Sequence, residues 1–315
     1  MYKEFFGLKA DPFTVNPDPR FLFLTRHAHE ALAALTYGIQ TRKGFLLLTG
    51  EVGTGKTTLI NRLLEWLHKQ QVTTAFVFNS SLNVPEFLDF MTVDFGLDCQ
   101  GLDKSRILLK LNSWLLEKYR EGKTVALVVD EAQNLSMEVL EEIRMLTNLE
   151  TATAKLLQIV LSGQPELEEK LRKNQLRQLN QRITLRSKTH PLTMAETANY
   201  IATRVKIAGG NNMFSIEACE KVWEFSNGIP RVINLLCEHA LISAYVDQQR
   251  TISAPTIEVV AQEFELDARP PAMQKSATVP VEQQPGMAEL VRQIEVLNKR
   301  LRDMDMEKTA TTGGK

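Results

Sequence analysis

Residues 50–57 constrain the fold of this chain more than any other segment, because they fit the pattern G-x-x-x-x-G-K-[ST] at every fixed position. The segment lies between an apolar run at 44–49 and a helical pattern at about 56–70. Glycines let the backbone curl so that several N–H groups point inward, and the following helix offers unpaired N–H groups and the positive end of its dipole. The sequence therefore predicts a phosphate-binding loop between a strand and a helix.

Individual side chains of this loop have predicted roles. Lys56 is expected to reach the β- and γ-phosphates of a nucleoside triphosphate, the Thr57 hydroxyl to ligate Mg²⁺, and Thr58 to lie near the α-phosphate. The predicted nucleotide-binding residues are Gly50, Glu51, Val52, Gly53, Thr54, Gly55, Lys56, Thr57 and Thr58.

A second apolar run, at 124–129, ends in two adjacent carboxylates, Asp130 and Glu131. In proteins with a phosphate-binding loop, the aspartate at this place holds Mg²⁺, usually through water, and an adjacent glutamate polarises the attacking water. We therefore predict that Asp130 and Thr57 hold the metal and that Glu131 is the general base.

The surrounding chain alternates between strand and helix patterns. Continuous apolar strands separated by helices indicate an α/β fold, a three-layer core with a parallel five-stranded sheet. Residues from about 195 to 265 show helix patterns and no further strand pattern, which predicts a small helical lid domain. Strands are predicted at 44–49, 73–79, 124–129, 156–161 and 183–185, and helices at 29–39, 56–70, 104–119 and 137–149.

Polar and basic residues at three further places could complete a nucleotide site. Ser162, with Gln164 as the alternative, follows the fourth strand where a side chain would lie beside the γ-phosphate. Arg182, with Arg177 as the alternative, precedes the fifth strand, where oligomeric ATPases project an arginine into the neighbouring subunit's site. Arg231 follows a Gly-Ile-Pro turn at a helix start, where its charge opposes the helix dipole and indicates an external anion, the γ-phosphate.

Charge and composition exclude several classes of protein. The 37 basic and 38 acidic residues nearly cancel, which argues against a chain-wide basic surface for nucleic acid. The segment 170–190, however, has seven Lys or Arg and no acid, whereas acids dominate 138–150; one basic and one acidic edge suit head-to-tail assembly into rings or filaments. Three cysteines without paired spacing argue against disulfides and zinc. With neither a signal peptide nor an apolar span, we expect a cytoplasmic protein.

The sequence divides into five predicted regions. They are an α/β nucleotide-binding domain at 1–190, the lid at 191–265, a Pro-rich linker at 266–286, a short amphipathic helix or coiled coil at 287–306, and a disordered tail at 307–315.

Together with these motifs, the opening of the chain resembles a known family. Phe6-Gly7-Leu8-x-x-Asp11-Pro12-Phe13, Asp130-Glu131-Ala132-Gln133 and Ser162-Gly163-Gln164-Pro165-Glu166-Leu167 are similar to the AAA+ ATPases of the ExeA family, or general secretion pathway protein A. The ATPase domain of that family is similar to the TnsC-type transposition regulators. The resemblance covers residues 1 to about 265.

The resemblance implies an AAA+ core with a helical lid, binding of ATP and Mg²⁺, nucleotide-driven homo-oligomers, and an adenine pocket lined by 21–29. Secretion members continue into a membrane span and a periplasmic domain, which this sequence replaces with the linker and helix. We therefore expect an ATPase that remodels or assembles a protein partner of an export, pilus or polysaccharide secretion system, cytoplasmic or peripheral to the inner membrane through that partner. The alternative is an ATP-dependent DNA-binding regulator of transposition, which the charge balance does not favour.

Overall fold

The computed structural model describes residues 1–14, 19–21, 23–78 and 81–267. These residues form two compact units, each with its own hydrophobic core. Among the described residues, the sheet unit consists of Arg26–Gly50 and Leu59–Thr189, and the helical unit consists of Met1–Thr25, Glu51–Thr58 and 190–267.

The regular elements follow the predicted alternation in the first two thirds of the chain. The strands are β1 (Phe45–Thr49), β2 (Thr73–Val77), β3 (Val125–Val129), β4 (Leu157–Gly163) and β5 (Leu185–Lys188). The helices are α1 (Tyr2–Phe6), α2 (Arg26–Gln40), α3 (Lys56–Lys69), α4 (Val84–Asp94), α5 (Lys104–Arg120), α6 (Met137–Leu146), α7 (Pro165–Leu171), α8 (Arg177–Arg182), α9 (Met194–Ile207), α10 (Ile216–Ser226), α11 (Pro230–Val246) and α12 (Ala254–Glu263).

The sheet is parallel and has the strand order β2-β3-β4-β1-β5. The strands β1, β3 and β4 are buried along their whole length, which explains why they are apolar runs instead of alternating patterns, whereas only two residues of the edge strand β2 are buried. The predicted five-stranded α/β sheet is confirmed.

The predicted position of the fifth strand is wrong, because the strand begins two residues later and ends three residues later than expected. The sequence places it at Ile183–Leu185, but β5 is Leu185–Lys188, in register with β1 from Leu46 to Thr49. Only Ser187 of β5 is fully buried, because the strand lies at the sheet edge. An edge strand with one buried residue has too little apolar sequence to be recognised by its pattern.

Helices cover both faces of the sheet. On one face, Phe45, Leu47 and Leu161 share a core with apolar residues of α4, α5, α6 and α7. On the other, Gly38 of α2 lies so close to Leu46 and Leu185 that a Cβ there would require their side chains to shift. The three-layer arrangement brings the carboxyl ends of β1, β3 and β4 to one edge of the sheet.

The helical unit packs the opening segment of the chain with four later helices. Phe6, Leu8, Phe13 and Phe21 are buried with apolar residues of α9, α10, α11 and α12. The boundary expected from sequence puts residues 1–25 with the sheet, and the packing of these aromatic side chains groups them with the helical core instead.

The predicted linker beyond 267, the helix at 287–306 and the tail at 307–315 lie outside the described residues. Cys99, Cys219 and Cys237 are buried free thiols. Among the residues that the structure describes, no helix has both the length and the apolar character needed to cross a bilayer.

Candidate functional site

The predicted phosphate loop leaves β1 at Gly50, whose N–H donates to the Gly163 carbonyl over 3.3 Å at the carboxyl edge of the sheet. Two of its glycines, Gly53 and Gly55, have φ of +79° and +92°, which glycine adopts without the steric cost of a side chain. This curl leads directly into α3 at Lys56, so that the N–H groups of the first helical turn face the loop instead of a preceding turn. Such a turn suits a bound phosphate.

Lys56 is buried and directed back into the loop. Its exposed fraction is 5%, and its Nζ donates to the Glu51 carbonyl over 2.9 Å. Thr54 closes the same turn, because its N–H and its Oγ1 both donate to the Glu51 carbonyl, over 3.3 and 2.7 Å. The loop is therefore shaped by its own hydrogen bonds, with the ammonium group held inside the curl.

The helical unit brings one predicted anion ligand to this loop. Arg231, the second residue of α11, donates its main-chain N–H to the Gly53 carbonyl over 3.3 Å. A Cβ on Gly53 would lie 2.9 Å from the Arg231 Cβ and 3.0 Å from the Ile229 Cγ2. Arg231 is exposed, so that its guanidinium group is accessible at the surface beside the loop.

The acidic pair lies at the carboxyl end of β3 in the sheet unit. Asp130 is 4% exposed and its Oδ1 accepts from the Glu131 N–H over 2.9 Å. Glu131 is half-buried and has φ of +51°, a left-handed conformation that costs a non-glycine residue about 1–2 kcal/mol. Backbone strain of this kind is common where a side chain must point in one direction for function.

Two glutamines contact the Glu131 carboxylate. The Gln133 Nε2 donates to Glu131 Oε2 over 2.5 Å, and the Gln164 Nε2 donates to the same oxygen over 3.2 Å. Gln164 is thus placed beside the predicted base, whereas Ser162, two residues earlier in β4, is fully buried. Among the described residues no partner is found for the Ser162 Oγ, an unsatisfied buried hydroxyl that suits a ligand contact.

A third acid, Glu168 of α7, joins the ends of β1 and β5. Its carboxylate accepts from the Thr49 Oγ1 over 2.6 Å and from the Lys188 Nζ over 2.8 Å. Burial alone raises the pKa of Glu168, but the hydrogen bonds from Lys188 and Thr49 outweigh it and lower the pKa below its ordinary value. This network fixes the strand end from which the phosphate loop departs.

Comparisons with known proteins show which families this chain resembles. Residues 39–171, which include the loop and the acidic pair, match the AAA domain family. The chain is also 42% identical, over 265 residues, to general secretion pathway protein A of Aeromonas hydrophila. The chain carries an AAA domain and is related to general secretion pathway protein A. The match covers 84% of this chain and 48% of the relative, so this AAA protein spans about half of the relative's length.

Solved structures share the fold of this AAA protein at low sequence identity. The ORC2 protein of Aeropyrum pernix has a TM-score of 0.60 at 18% identity, covering 81% of this chain and 72% of that one. Cdc6p of Pyrobaculum aerophilum has a TM-score of 0.59 at 17% identity, covering 80% and 70%. The RuvB branch migration motor of Thermotoga maritima has a TM-score of 0.52 at 15% identity, covering 78% and 72%.

The two candidate arginines of this AAA protein differ in their surroundings. Arg182, at the end of α8, donates through Nη1 to the Thr147 Oγ1 and the Asn148 Oδ1, both over 2.5 Å, at the C-terminal end of α6. Arg177, at the start of α8, is exposed. The Arg182 side chain is therefore engaged within its own subunit, whereas the Arg177 side chain is accessible to another molecule.

The segment expected to line an adenine pocket divides between the two units. Phe21 is 4% exposed in the core of the helical unit, whereas α2 begins at Arg26 in the sheet unit. The adenine-pocket assignment stays a prediction.

Sequence reasoning gave no role to Gln133, Lys170 or the Glu168 network. The Lys170 Nζ donates to the Gln133 carbonyl over 3.0 Å and to the Leu135 carbonyl, which anchors the turn that follows Glu131. Gln133 was visible only as the fourth residue of the motif Asp-Glu-Ala-Gln, where it directly follows the acidic pair.

Proposed function

We propose that this chain is a Mg²⁺-dependent ATPase that forms homo-oligomers and remodels or assembles a protein partner. The observation that supports it most is the shape of the phosphate loop, whose two left-handed glycines lead into the open first turn of α3. The AAA match over 39–171 supports the same activity.

In this proposal the loop N–H groups and Lys56 bind the triphosphate, and Thr57 and Asp130 hold Mg²⁺. When bound, the metal ion supplies positive charge to the phosphate oxygens. Glu131 accepts a proton from the attacking water, while Ser162 contacts the γ-phosphate through its unsatisfied hydroxyl. Arg231, beside Gly53, contacts the same phosphate from the helical unit.

An arginine of α8 completes the site of a neighbouring subunit in this proposal. The sequence favours Arg182, but the contacts of Arg182 with Thr147 and Asn148 use its guanidinium group within its own subunit. The exposure of Arg177 supports that residue as the one that acts in trans.

The partner is proposed to belong to an export, pilus or polysaccharide secretion system, because of the similarity to general secretion pathway protein A. The acid-free segment 170–190 is less available to DNA than its composition indicates. Five of its seven basic side chains contact described partners: Lys170, Arg172, Arg182, Arg186 and Lys188. A protein partner is therefore favoured over duplex DNA.

The test measures phosphate release and nucleotide affinity in three variants. Lys56→Ala is expected to lose nucleotide affinity, and Glu131→Gln to keep affinity while turnover falls by roughly 10²–10⁴-fold, the usual contribution of a general base. Glu263→Gln, an exposed acid on α12, is the control and should behave like the parent. Chelation of Mg²⁺ should stop turnover in the parent.

Parental turnover by Glu131→Gln would refute the assignment of the base. Retention of duplex DNA in the presence of ATP, falling steeply as salt is raised, would favour the DNA-binding alternative.

A further inference from the structure

The orientation of the Glu131 carboxylate is set by neutral groups. Its Oε2 accepts from the Gln133 Nε2 over 2.5 Å and from the Gln164 Nε2 over 3.2 Å. Among the described residues no donor is found for Oε1, which leaves that oxygen open to a water molecule. Two amides therefore hold one carboxylate oxygen without pairing the carboxylate with a cation.

The two glutamines also hold each other. The Gln164 N–H donates to the Gln133 Oε1 over 3.1 Å, across 31 residues of sequence. A main-chain N–H can only donate and a carboxylate can only accept, so the Gln133 amide fits in one orientation, with oxygen toward Gln164 and nitrogen toward Glu131. The three residues form a closed set of hydrogen bonds, in which the Gln133 amide cannot turn without breaking two contacts and the Gln164 amide cannot turn without releasing Glu131.

Gly163 makes room for this arrangement. A Cβ at Gly163 would lie 2.9 Å from the Gln133 Oε1 and 2.8 Å from the Leu167 Cδ2. Its φ is not in the left-handed region, so the close approach of Gln133 and Leu167 is what leaves little room for a side chain.

Helix α7 supports the set from both ends. Gln164 is the N-cap of α7, and Lys170, near its C-terminal end, donates to the Gln133 and Leu135 carbonyls. The turn that carries Glu131 is thus held by one short helix that begins where β4 ends.

We propose that Gln133 and Gln164 are positioning residues for the general base: they fix Glu131 Oε2 and leave Oε1 directed at the attacking water. This proposal rests on the proposed role of Glu131. A small displacement at the β4–α7 junction moves Gln164 and with it the carboxylate, so turnover depends on this junction while nucleotide binding does not.

The test compares Gln133→Leu and Gln164→Leu with the parent. Leucine keeps most of the side-chain volume and removes the amide. Misplacement of a reacting group commonly costs up to about 10²-fold, so we expect kcat to fall roughly 10- to 100-fold in each variant. The dissociation constant for ATP, measured by calorimetry, should stay within about twofold, since neither glutamine is assigned to the phosphates.

The double variant adds a readout that a merely structural role would not give. Because both glutamines act through one carboxylate, the combined loss in kcat should be smaller than the product of the two single losses. Gln100→Leu, an exposed glutamine between α4 and α5 in the same unit, is the matched control and should keep the parental kcat.

Parental kcat in a folded Gln133→Leu or Gln164→Leu, or a loss confined to ATP affinity, would overturn the proposal. Should Gln133→Leu fail to fold, Gln164→Leu decides, because its side chain is half-exposed at the start of α7. If Glu131→Gln itself retains parental turnover, the proposed function fails; if Glu131→Gln is inactive and both leucine variants are normal, only the positioning role fails.

Discussion

At the residue scale, position 53 requires glycine for two reasons, its backbone conformation and the close packing around it. Its φ of +79° favours glycine, and its carbonyl accepts from the Arg231 N–H. The space where a Cβ would lie is already occupied by Arg231 and Ile229. A side chain at this position must therefore distort the loop or displace the start of α11.

Gly53→Ala is expected to lower ATP affinity by at least roughly tenfold, equivalent to about 1.4 kcal/mol, because both the curl of the loop and the position of Arg231 change. Isothermal titration calorimetry with ATP measures the effect. The control is Gly101→Ala, where φ is +71° but no atom lies within 4 Å of the added Cβ. Both variants carry the left-handed cost to stability of on the order of 1 kcal/mol, and only Gly53→Ala should lose affinity.

At the element scale, the bonds from Thr49 and Lys188 to Glu168 connect β1, β5 and α7. Thr49 is 2% exposed, so its hydroxyl depends on Glu168 for a partner. The lowered pKa of Glu168 means that the carboxylate form stabilises the native state.

Glu168→Gln should lower the free energy of unfolding at neutral pH by about 1 kcal/mol, since the network borders solvent. A group whose pKa is lowered on folding contributes its stability above its ordinary pKa, here 4.5, and loses it as pH falls through the folded value. The difference between parent and variant should therefore be constant above about pH 5.5 and shrink below 4.5 in urea titrations. A difference that grows on acidification would contradict this account. The control, Glu169→Gln, changes an exposed acid of the same helix and should show a much smaller dependence.

The elements that the sequence predicts are those with a strong local signal. The three inner strands, β1, β3 and β4, are apolar runs, and α3 follows the loop motif, so local patterns suffice to predict them. The helices α4, α7 and α8 are not predicted from the sequence. A local signal does exist for α4, because Asn83-Val84-Pro85-Glu86 holds a capping box and a proline that mark its start. Short helices are fixed by tertiary packing more than by sequence.

The candidate site likewise contains parts with a local sequence signal and parts that only tertiary packing brings together. The phosphate loop and the Asp130–Glu131 pair are local motifs and can be found from sequence. The set formed by Glu131, Gln133 and Gln164 depends on a contact across 31 residues, created when β3 and β4 pair side by side. No local pattern predicts which polar residue after β4 will face Glu131.

At the scale of the whole molecule, the question is whether one subunit completes the site of another. Arg182 has a structural role at the end of α6, so Arg182→Ala should lower stability by about 1–2 kcal/mol through lost hydrogen bonds and a lost charge at a helix C-terminus. Arg177 is exposed, and Arg177→Ala should leave the free energy of unfolding unchanged. Activity must therefore be separated from folding.

An experiment that mixes two inactive variants separates an effect on activity from an effect on folding. Glu131→Gln subunits keep both arginines but lack the base, whereas Arg177→Ala subunits keep the base but lack the arginine. If the arginine acts in trans, a mixed oligomer contains sites in which an intact Glu131 meets an intact arginine from its neighbour, and such an arginine contributes about 10³-fold or more to turnover. Phosphate release by the mixture should then exceed the sum of the separate preparations and peak at an intermediate ratio of the two variants. Native mass spectrometry verifies that mixed oligomers form. If they form and their activity is only additive, a trans-acting Arg177 is excluded. Repeating the mixture with Arg182→Ala identifies which end of α8 faces the neighbouring nucleotide.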